Sequence, residues 1–143
     1  TSAKQKAYIV IVSMHSGTEY VPLPNTSQTT FAHAAIDAGA DMVIGHHPHV
    51  VQSMEKYNGK YIFYSLGNFV FDQMWSSDTR RGMTLKIVFT KTGDTTSVTG
   101  ITPVPIIIDN YSQPRFATDE EAKPIIARLQ YNATKDLELA PQK

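Results

Sequence analysis

What the sequence lacks limits its chemistry before any motif is considered. Its 143 residues include no cysteine, so neither a disulfide nor a thiolate metal site can form, and any bound metal needs nitrogen and oxygen ligands. No apolar run approaches the roughly 18 residues of a membrane-spanning helix, and the first residues lack the apolar stretch of a signal peptide. The sequence as given therefore predicts a soluble chain.

An excess of charge of one sign is also missing. Thirteen Lys and Arg residues balance thirteen Asp and Glu residues, so there is no broad positive field to attract nucleic acid or an anionic membrane. Nucleic acid is therefore not an expected partner. Hydrophobic residues make up 41% of the chain, which is enough for the core of one globular domain.

The first third of the sequence predicts a strand, a helix and a second strand. A β-branched, apolar run at residues 7–14 is typical of a strand covered on both faces. Residues 27–38 have helical spacing of apolar side chains, and Gly39 suits the C-cap. The predicted core face of this helix consists of Phe31, Ala34, Ala35 and Ala38. A short buried strand at residues 41–44 then completes a right-handed βαβ unit.

The remaining sequence predicts antiparallel strands. Asn58-Gly59 favours a two-residue type I′ turn between strands at residues 53–57 and 60–64. Two further strand-like segments, at residues 84–90 and 97–108, lie on either side of a turn at residues 91–94.

Prolines and polar residues mark the ends of this second part. Pro103 and Pro105 suit an edge strand because proline cannot donate a ladder hydrogen bond. Thr118 and Glu121 resemble a capping box, while Pro124 offers an alternative start for the same helix. The polar residues 132–143 are expected to fray, so one domain with residues 7–131 ordered is predicted.

Four histidines follow the two predicted parallel strands directly. His15 ends the first strand, and His46, His47 and His49 come straight after the second. Parallel strands bring their carboxyl ends to one edge of the sheet, where α/β proteins bind ligands, and neutral imidazole suits zinc, manganese or iron. This pattern predicts a divalent-metal site. The alternative is a solitary loop histidine at position 15 and a polar turn fixed by Pro48.

Two other polar residues are candidates for the same site. Glu19 lies four residues after His15 and is either a carboxylate that supports the ligands, contacts substrate or transfers protons, or a solvated loop charge. Asn68 follows Gly67, whose backbone freedom lets the chain turn so that the amide points at the pocket. The alternative for Asn68 is an ordinary turn asparagine.

Other charged or titratable residues favour structural readings. His33 lies in the predicted helix, away from the strand ends, and Asp41 opens a strand where a cap or turn residue is expected. Arg80 and Arg81 form either a site for an anionic group or a solvated pair, and the pattern favours the solvated pair.

Four motifs in order carry a family resemblance. They are His-Ser-Gly-Thr-Glu-Tyr at 15–20, Asp-Ala-Gly-Ala-Asp at 37–41, Gly-His-His-Pro-His-Val at 45–50 and Tyr-Ser-Leu-Gly-Asn-Phe-Val-Phe-Asp at 64–72. With them the chain resembles the bacterial capsule-synthesis CapA family, also called the poly-γ-glutamate synthesis (PgsA-like) family. One departure is Ser16, where the family usually has tryptophan.

This family resembles calcineurin-like metallophosphoesterases, which implies an α/β fold: a layered β-sandwich with flanking helices and two metal ions at strand ends. By this resemblance His15 matches a ligand of one motif, His47 and His49 match the His-x-His ligands of the last, and His46 is a neighbour. In such enzymes two ions about 3.5–4 Å apart activate water and stabilise an in-line displacement at phosphorus.

The resemblance also implies that part of the domain is missing. Neither a Gly-Asp segment nor an Asn-Asn-His segment precedes His15, although these normally supply ligands. The chain is therefore expected to be the later portion of the domain, a βαβ unit followed by antiparallel hairpins, from a truncated, proteolytic or split-gene product. Its metal site is expected to be incomplete and the fragment inactive alone, with the N-terminal half of the domain as a partner.

The sequence leaves three functions open. One is a role in making or exporting an anionic exopolymer such as poly-γ-glutamate, and another is a metal-dependent phosphoesterase acting on a small or lipid-linked phosphate. The third is a non-catalytic scaffold within a membrane-bound synthase. The family resemblance implies a location on the extracellular face of the membrane, anchored through a segment absent from this chain, with synthase subunits as partners.

Overall fold

A computed structural model describes residues 2–129 of the chain. The tail predicted to fray and the predicted ordered boundary at residue 131 lie outside the described residues. Within them the elements are β1 Ile11–His15, α1 Thr26–Asp37, β2 Met42–His46, β3 Met54–Tyr57, β4 Lys60–Phe63, β5 Arg81–Thr92, β6 Thr95–Asp109, β7 Gln113–Phe116 and α2 Asp119–Leu129.

The strands form two sheets. The first is mixed, in the order β1-β2-β4-β3, and the second is antiparallel, in the order β5-β6-β7. Strand β2 pairs in parallel with both β1 and β4, so the predicted βαβ unit is confirmed and extends into a third parallel strand. The α/β class is confirmed as well.

Side chains along each strand of the mixed sheet point alternately to its two faces, and this divides the core into two clusters. Met42 and Phe63 point into a cluster that the second sheet and α2 complete, whereas Val43, Ile62 and Tyr64 point to the face covered by α1. The mixed sheet therefore has α1 on one face and the second sheet on the other, as the period of two along a strand dictates. The finer comparison with metallophosphoesterase layering stays a prediction.

Strand β1 differs from its prediction. It begins at Ile11 and not at residue 7, and Ile11, Ser13 and His15 are exposed while Met14 is buried. The reason is its place at the edge of the sheet, where α1 covers only the face carrying Val10, Val12 and Met14. The prediction of a strand covered on both faces is thus wrong for the described residues.

Helix α1 is where the sequence places it, but its buried face is different. Asn25 caps the helix and forms a capping box with Gln28, and Gly39 follows the C-cap Ala38 in the left-handed region. The buried positions are Gln28, Ala32 and Ile36, whereas Phe31 is 50% exposed. The predicted face was wrong because a hydrogen-bonded glutamine occupies one end of the buried stripe, which apolar spacing cannot show.

The hairpin predictions are confirmed, with one correction. Asn58 and Gly59 both have positive φ values, 47° and 75°, as a type I′ turn between β3 and β4 requires. Strands β5 and β6 pair through a long hairpin. Strand β6 is nevertheless central and not an edge, because β7 pairs with its last residues.

The position of the prolines within β6 explains how this strand tolerates them. The carbonyl of Pro105 accepts from the backbone N–H of Ala117, just past the end of β7. A residue's N–H side faces the same way as its carbonyl, so the missing donors of Pro103 and Pro105 point beyond the end of β7. At the prolines, strand β6 therefore has no ladder partner on that side apart from the bond between the Pro105 carbonyl and Ala117.

The last helix begins at its capping box. The backbone N–H of Thr118 donates to Glu121, whose own N–H donates to Thr118 Oγ1, so the box is confirmed. The alternative start at Pro124 is wrong, because Pro124 lies inside α2. Neither helix within residues 2–129 has the length and apolar content needed to cross a bilayer.

Candidate metal site

The parallel pairing of β1 and β2 brings the predicted histidines to one edge. His15 lies directly opposite His46 in the strand register, and the ring centroids of His15 and His47 are 4.9 Å apart. The His47 and His49 centroids are separated by 6.1 Å. Imidazoles from two separate strand ends therefore face one another, as the sequence pattern predicts.

The turn that carries these rings has an unusual backbone. His47 has a φ of 102° and His49 a φ of 59°, in the left-handed region that residues with a Cβ rarely adopt. Such conformations cost about 1–3 kcal/mol each and persist where the surroundings enforce them, often at functional sites. Here the carbonyls of His46 and Pro48 accept from the backbone N–H groups of Ser16 and Tyr20.

Gly45 allows the turn to lie this close to the neighbouring strand. A Cβ added at this position would lie 2.0 Å from the carbonyl oxygen of Tyr64, far inside van der Waals contact. The backbone N–H of Leu66 donates to the Gly45 carbonyl at 3.2 Å. Glycine is thus required where β2 meets the end of β4, directly before the histidines.

Asn68 sets the protonation pattern of His49. Its Nδ2 donates to the carbonyl of Thr79 at 3.0 Å, and its Oδ1 is 2.9 Å from Nδ1 of His49. A carbonyl only accepts, so the amide nitrogen must face Thr79 and the amide oxygen must face His49. Nδ1 of His49 therefore carries a hydrogen, and in a neutral ring Nε2 presents the lone pair that a metal needs. Gly67, with a φ of 72°, turns Asn68 toward the site as predicted.

Glu19 lies at the rim of the same site. Its carboxylate is 49% exposed, and Oε1 is 4.0 Å from Nε2 of His49. That distance is beyond a hydrogen bond, so Glu19 faces the lone pair of His49 without contacting it. An ion or a water between the two groups would find an acceptor on each side.

A buried pair of glutamines holds the loop that carries Glu19. Gln28 Nε2 donates to Oε1 of Gln52 at 2.8 Å, and Gln52 Nε2 donates to the carbonyls of Val21 and Leu23. Both glutamines are fully buried, where loss of one partner would leave a polar group unsatisfied. The loop between β1 and α1 is thereby tied to the segment that follows His49.

His46 is set apart from the other three histidines. It lines an apolar groove of about 290 Å³ together with Ile44, Leu66 and Phe69. Burial, assisted by the nearby His15, lowers the pKa of His46, which keeps its ring neutral. The reading of His46 as a neighbour of the site agrees with this placement.

The donor set fits a divalent ion in part. Two imidazoles that share one ion through bonds of about 2.1 Å have ring centres roughly 5 Å apart, and the His15 and His47 centroids are 4.9 Å apart. Residues 2–129, however, contain no group of three or more His, Cys, Asp or Glu side chains that could hold an ion as they stand. The predicted ligands His15, His47 and His49 and the predicted incomplete centre therefore stay predictions.

The structural readings of the remaining candidates agree with their contacts. His33 stacks on Tyr57 and contacts Glu55, and buried Asp41 accepts from Lys4 and Lys60.

The two arginines are engaged with carboxylates. Arg80 pairs with Asp109 and Arg81 with Asp78. They lie in ion pairs and not in the solvated arrangement that the sequence favours.

Sequence reasoning missed several residues that position the site. Gln73 accepts from Nδ2 of Asn68 and donates to the hydroxyl of Tyr20, while Tyr20 stacks on His49 with centroids 5.9 Å apart. The contact between Gln73 and Tyr20 joins residues 53 apart in sequence, so no local pattern reveals it. The hydrogen bonds between Asn25 and Gln28 could have been predicted, because these two residues have capping-box spacing.

Comparison with known proteins identifies the family. A family model described as bacterial capsule synthesis protein PGA_cap matches residues 1–73, half of the chain and the part that contains all four motifs. The chain belongs to this family, and the resemblance drawn from the motifs is confirmed.

Two curated relatives have high identity over the same region. The PGA biosynthesis protein CapA of Bacillus subtilis is 57% identical over 76 residues, which cover 53% of this chain and 20% of that protein. The capsule biosynthesis protein CapA of Bacillus anthracis is 53% identical over 73 residues, or 51% of this chain and 18% of that protein. The matched segment spans about a fifth of these relatives.

Proposed function

We propose that the chain is a component of capsule or poly-γ-glutamate synthesis or export and that it contributes a divalent-metal site. The family match and the names of the two CapA relatives support the biosynthetic role. The observation that carries the metal site is the 4.9 Å separation of the His15 and His47 rings, delivered by two parallel strands. Manganese, zinc and iron are the ions that suit these ligands.

The residues have distinct parts in this proposal. His15, His47 and His49 would hold the ion, and a bound ion would supply Lewis acidity toward an anionic substrate oxygen. Asn68 holds His49 with Nε2 available, as its hydrogen bond to Thr79 requires. Glu19, half exposed and 4.0 Å from Nε2 of His49, is placed to accept or donate a proton at the mouth of the site.

A second candidate is hydrolysis of a phosphate ester, either small or lipid-linked. The specific observation in its favour is Glu19, because a carboxylate beside metal ligands suits proton transfer during hydrolysis. Poly-γ-glutamate contains amides and no phosphoester, so polymer synthesis alone does not call for this reaction. A scaffold role without metal is the third alternative.

The proposed partners include the rest of the domain. Within residues 2–129, β1 pairs only with β2, and its outward face exposes Ile11, Ser13 and His15. An exposed strand edge beside an apolar side chain is a template for another strand, which supports docking of an N-terminal half here. Membrane-bound synthase subunits, and an extracellular location through an anchor elsewhere in the protein, follow from the family as proposals.

One experiment separates the three functions. The chain joined to the N-terminal half of the domain is purified, its metal content is measured by elemental analysis, and hydrolysis of an aryl phosphate is assayed. Metal with hydrolysis that His47→Ala abolishes supports the phosphoesterase, while metal without hydrolysis supports a polymer-handling role. If the protein contains no metal and a chelator does not change its stability, only the scaffold hypothesis remains. His33→Gln, at a histidine on α1, is the matched control.

A further inference from the structure

A second cavity lies at the end of the mixed sheet opposite the histidines. Its volume is about 630 Å³, and it is formed by the segment before β1, the start of β4 and the tip of the β5–β6 hairpin. That volume falls within the range of about 300–1,000 Å³ that small-molecule sites occupy. Its charged lining residues are Lys4, Lys6, Lys60, Asp41 and Asp94. We call this cavity the lysine cleft.

Asp41 does not cancel the positive charge of the lysine cleft. It is buried, and its two oxygens accept from Lys4, from Lys60 and from the backbone N–H of Val10. Lys4 also donates to the carbonyl of Tyr8. Two lysines thus share one carboxylate, and each ammonium has three donors, of which these contacts use two on Lys4 and one on Lys60. The ion pairs stabilise the fold, and the remaining donors are left for a ligand.

Two further ammonium groups lie at the cleft. Lys6 is exposed, and no carboxylate within residues 2–129 pairs with its side chain. The Nζ of Lys91 lies 3.5 Å from the centre of the Tyr8 ring at the border of the cleft, where cation–π attraction holds it. Asp94 is the one other carboxylate among the described lining residues. The cleft therefore carries an excess of positive charge and suits an anionic ligand.

The uncharged lining residues indicate what kind of anion fits. Gln5, Thr95 and Thr96 line the cleft, and their side chains both donate and accept hydrogen bonds. An amide-linked chain offers N–H and C=O groups to such side chains, whereas a phosphate polymer offers acceptors alone. No arginine, the residue that binds phosphate in a bidentate manner, lines the described part of the cleft. Carboxylates on an amide-linked chain therefore match this lining better than phosphates do.

We propose that the lysine cleft binds an amide-linked chain that carries repeated carboxylates. The lysines contact the carboxylates, and Gln5 and Thr95 contact the amide groups. Such a chain is either a γ-linked glutamate polymer or an acidic peptide segment with ordinary α linkages. The γ-linked source rests on the proposed function, whereas the cleft itself rests on its own lysines and requires no metal.

Short glutamate oligomers test this proposal. Fluorescently labelled hexamers of γ-linked glutamate, α-linked glutamate and α-linked glutamine are each titrated with the chain at low salt in the presence of EDTA, and binding is measured by fluorescence anisotropy. We expect at least one glutamate hexamer to bind about tenfold more tightly than the glutamine hexamer, and this binding to weaken as NaCl is added. The preferred linkage distinguishes the polymer from the peptide.

Substitutions assign the binding to the cleft. Lys6→Gln should weaken glutamate binding by about fivefold, and Lys6→Glu should weaken it further. The free energy of unfolding should not change, because Lys6 is exposed and pairs with no described carboxylate. Lys86→Gln is the matched control, since Lys86 is an exposed lysine on β5 that does not line the cleft. It should bind the hexamers as the unaltered chain does.

The outcomes separate this inference from the proposed function. If neither glutamate hexamer binds more tightly than the glutamine hexamer, or if Lys6→Gln and Lys86→Gln have equal effects, the cleft proposal is wrong and the metal site is unaffected. Binding that appears only when zinc replaces EDTA would place the ligand at the histidines and also overturn it. A protein without metal that still binds a glutamate hexamer through Lys6 would overturn the metal site and support the cleft.

A polyphosphate of similar charge tests the class of anion. It should bind more weakly than the preferred glutamate hexamer. Equal affinity, reduced by the same factor in Lys6→Gln, would mean that the cleft selects charge alone and that the assignment of a carboxylate chain is wrong.

Discussion

The two ends of the parallel strands in the mixed sheet, here called its two edges, differ in the side chains that they bring together. Where β2 and β4 begin, the carboxylate of Asp41 accepts from Lys4, from Lys60 and from the backbone N–H of Val10. Where β1 and β2 end, His15 and His47 face one another. Opposite charges therefore stabilise one edge. The other edge brings together imidazoles, which stabilise one another little.

The backbone shows the same contrast. Left-handed conformations occur at Tyr20, His47 and His49, all at the edge where the parallel strands end, whereas the one beside Lys60 is Asn58, in a type I′ turn that favours asparagine. Strain and exposed aromatic rings reduce stability, so their presence around the histidines supports the proposal that this edge binds a ligand. The opposite edge supports the fold.

The largest expected effect comes from Gly45, which supports the histidine edge. Gly45→Ala places a Cβ 2.0 Å from the Tyr64 carbonyl, and the backbone must move to relieve the clash. We expect a loss of about 3 kcal/mol in the free energy of unfolding, measured by urea denaturation.

Gly100→Ala is the matched control for this substitution. Gly100 also lies in a strand, but a Cβ there would meet Val88 at an ordinary 3.6 Å. Its cost should stay below about 1 kcal/mol. Equal costs for the two variants would mean that Gly45 has no special role at the site.

The second effect concerns metal affinity. Asn68→Ala removes the acceptor that holds Nδ1–H of His49, so His49 loses its fixed tautomer. We expect divalent-metal affinity to fall by about 10–100-fold, measured by calorimetry. Gln113→Ala, an exposed amide on β7, should leave the affinity unchanged, and an equal loss there would point to general destabilisation.

The smallest effect should appear at the opposite edge and depend on pH. Burial raises the pKa of Asp41, but hydrogen bonds from Lys4, Lys60 and Val10 outweigh it and hold the pKa below the ordinary value. A lowered pKa in the folded state means that the stabilisation is present above the unfolded pKa of about 3.9 and is lost as pH falls through the folded value.

Asp41→Asn tests this pH dependence. It should cost about 1 kcal/mol at pH 7, because the lysines are partly exposed and their attraction is screened, and the cost should be smaller at a second pH below about 3.9, the ordinary pKa of an aspartate. Urea denaturation at both pH values measures it, and a cost that is independent of pH would contradict the charge-paired account. Metal binding at pH 7 should not change.

Local patterns predicted the frame of the molecule but not its contacts. Asn58-Gly59 predicted the first hairpin, because a turn depends on neighbouring residues. The histidines after two parallel strands predicted one shared edge, because both strands of a βαβ unit end at the same side of the sheet. The buried stripe of α1 was mispredicted since Gln28 reads as polar until Gln52 is placed beside it.

Long-range pairing explains the other misses. The exposed face of β1 and the central position of β6 depend on which strands become neighbours, which composition does not encode. The link from Asn68 through Gln73 to Tyr20 joins residues 53 apart at its longest step. The motif region, residues 1–73, was readable through family resemblance, whereas the second sheet, outside the matched residues, was readable only by pattern.

The most direct test of the central claim is a calorimetric titration of the chain with zinc or manganese. If His15 and His47 share an ion, binding should occur at no more than one ion per chain, and His15→Ala or His47→Ala should each weaken it by about 100-fold. His33→Gln, on α1, should bind as the unaltered chain does. Tight binding of two ions per chain, or an affinity that both alanine substitutions leave unchanged, would contradict the account.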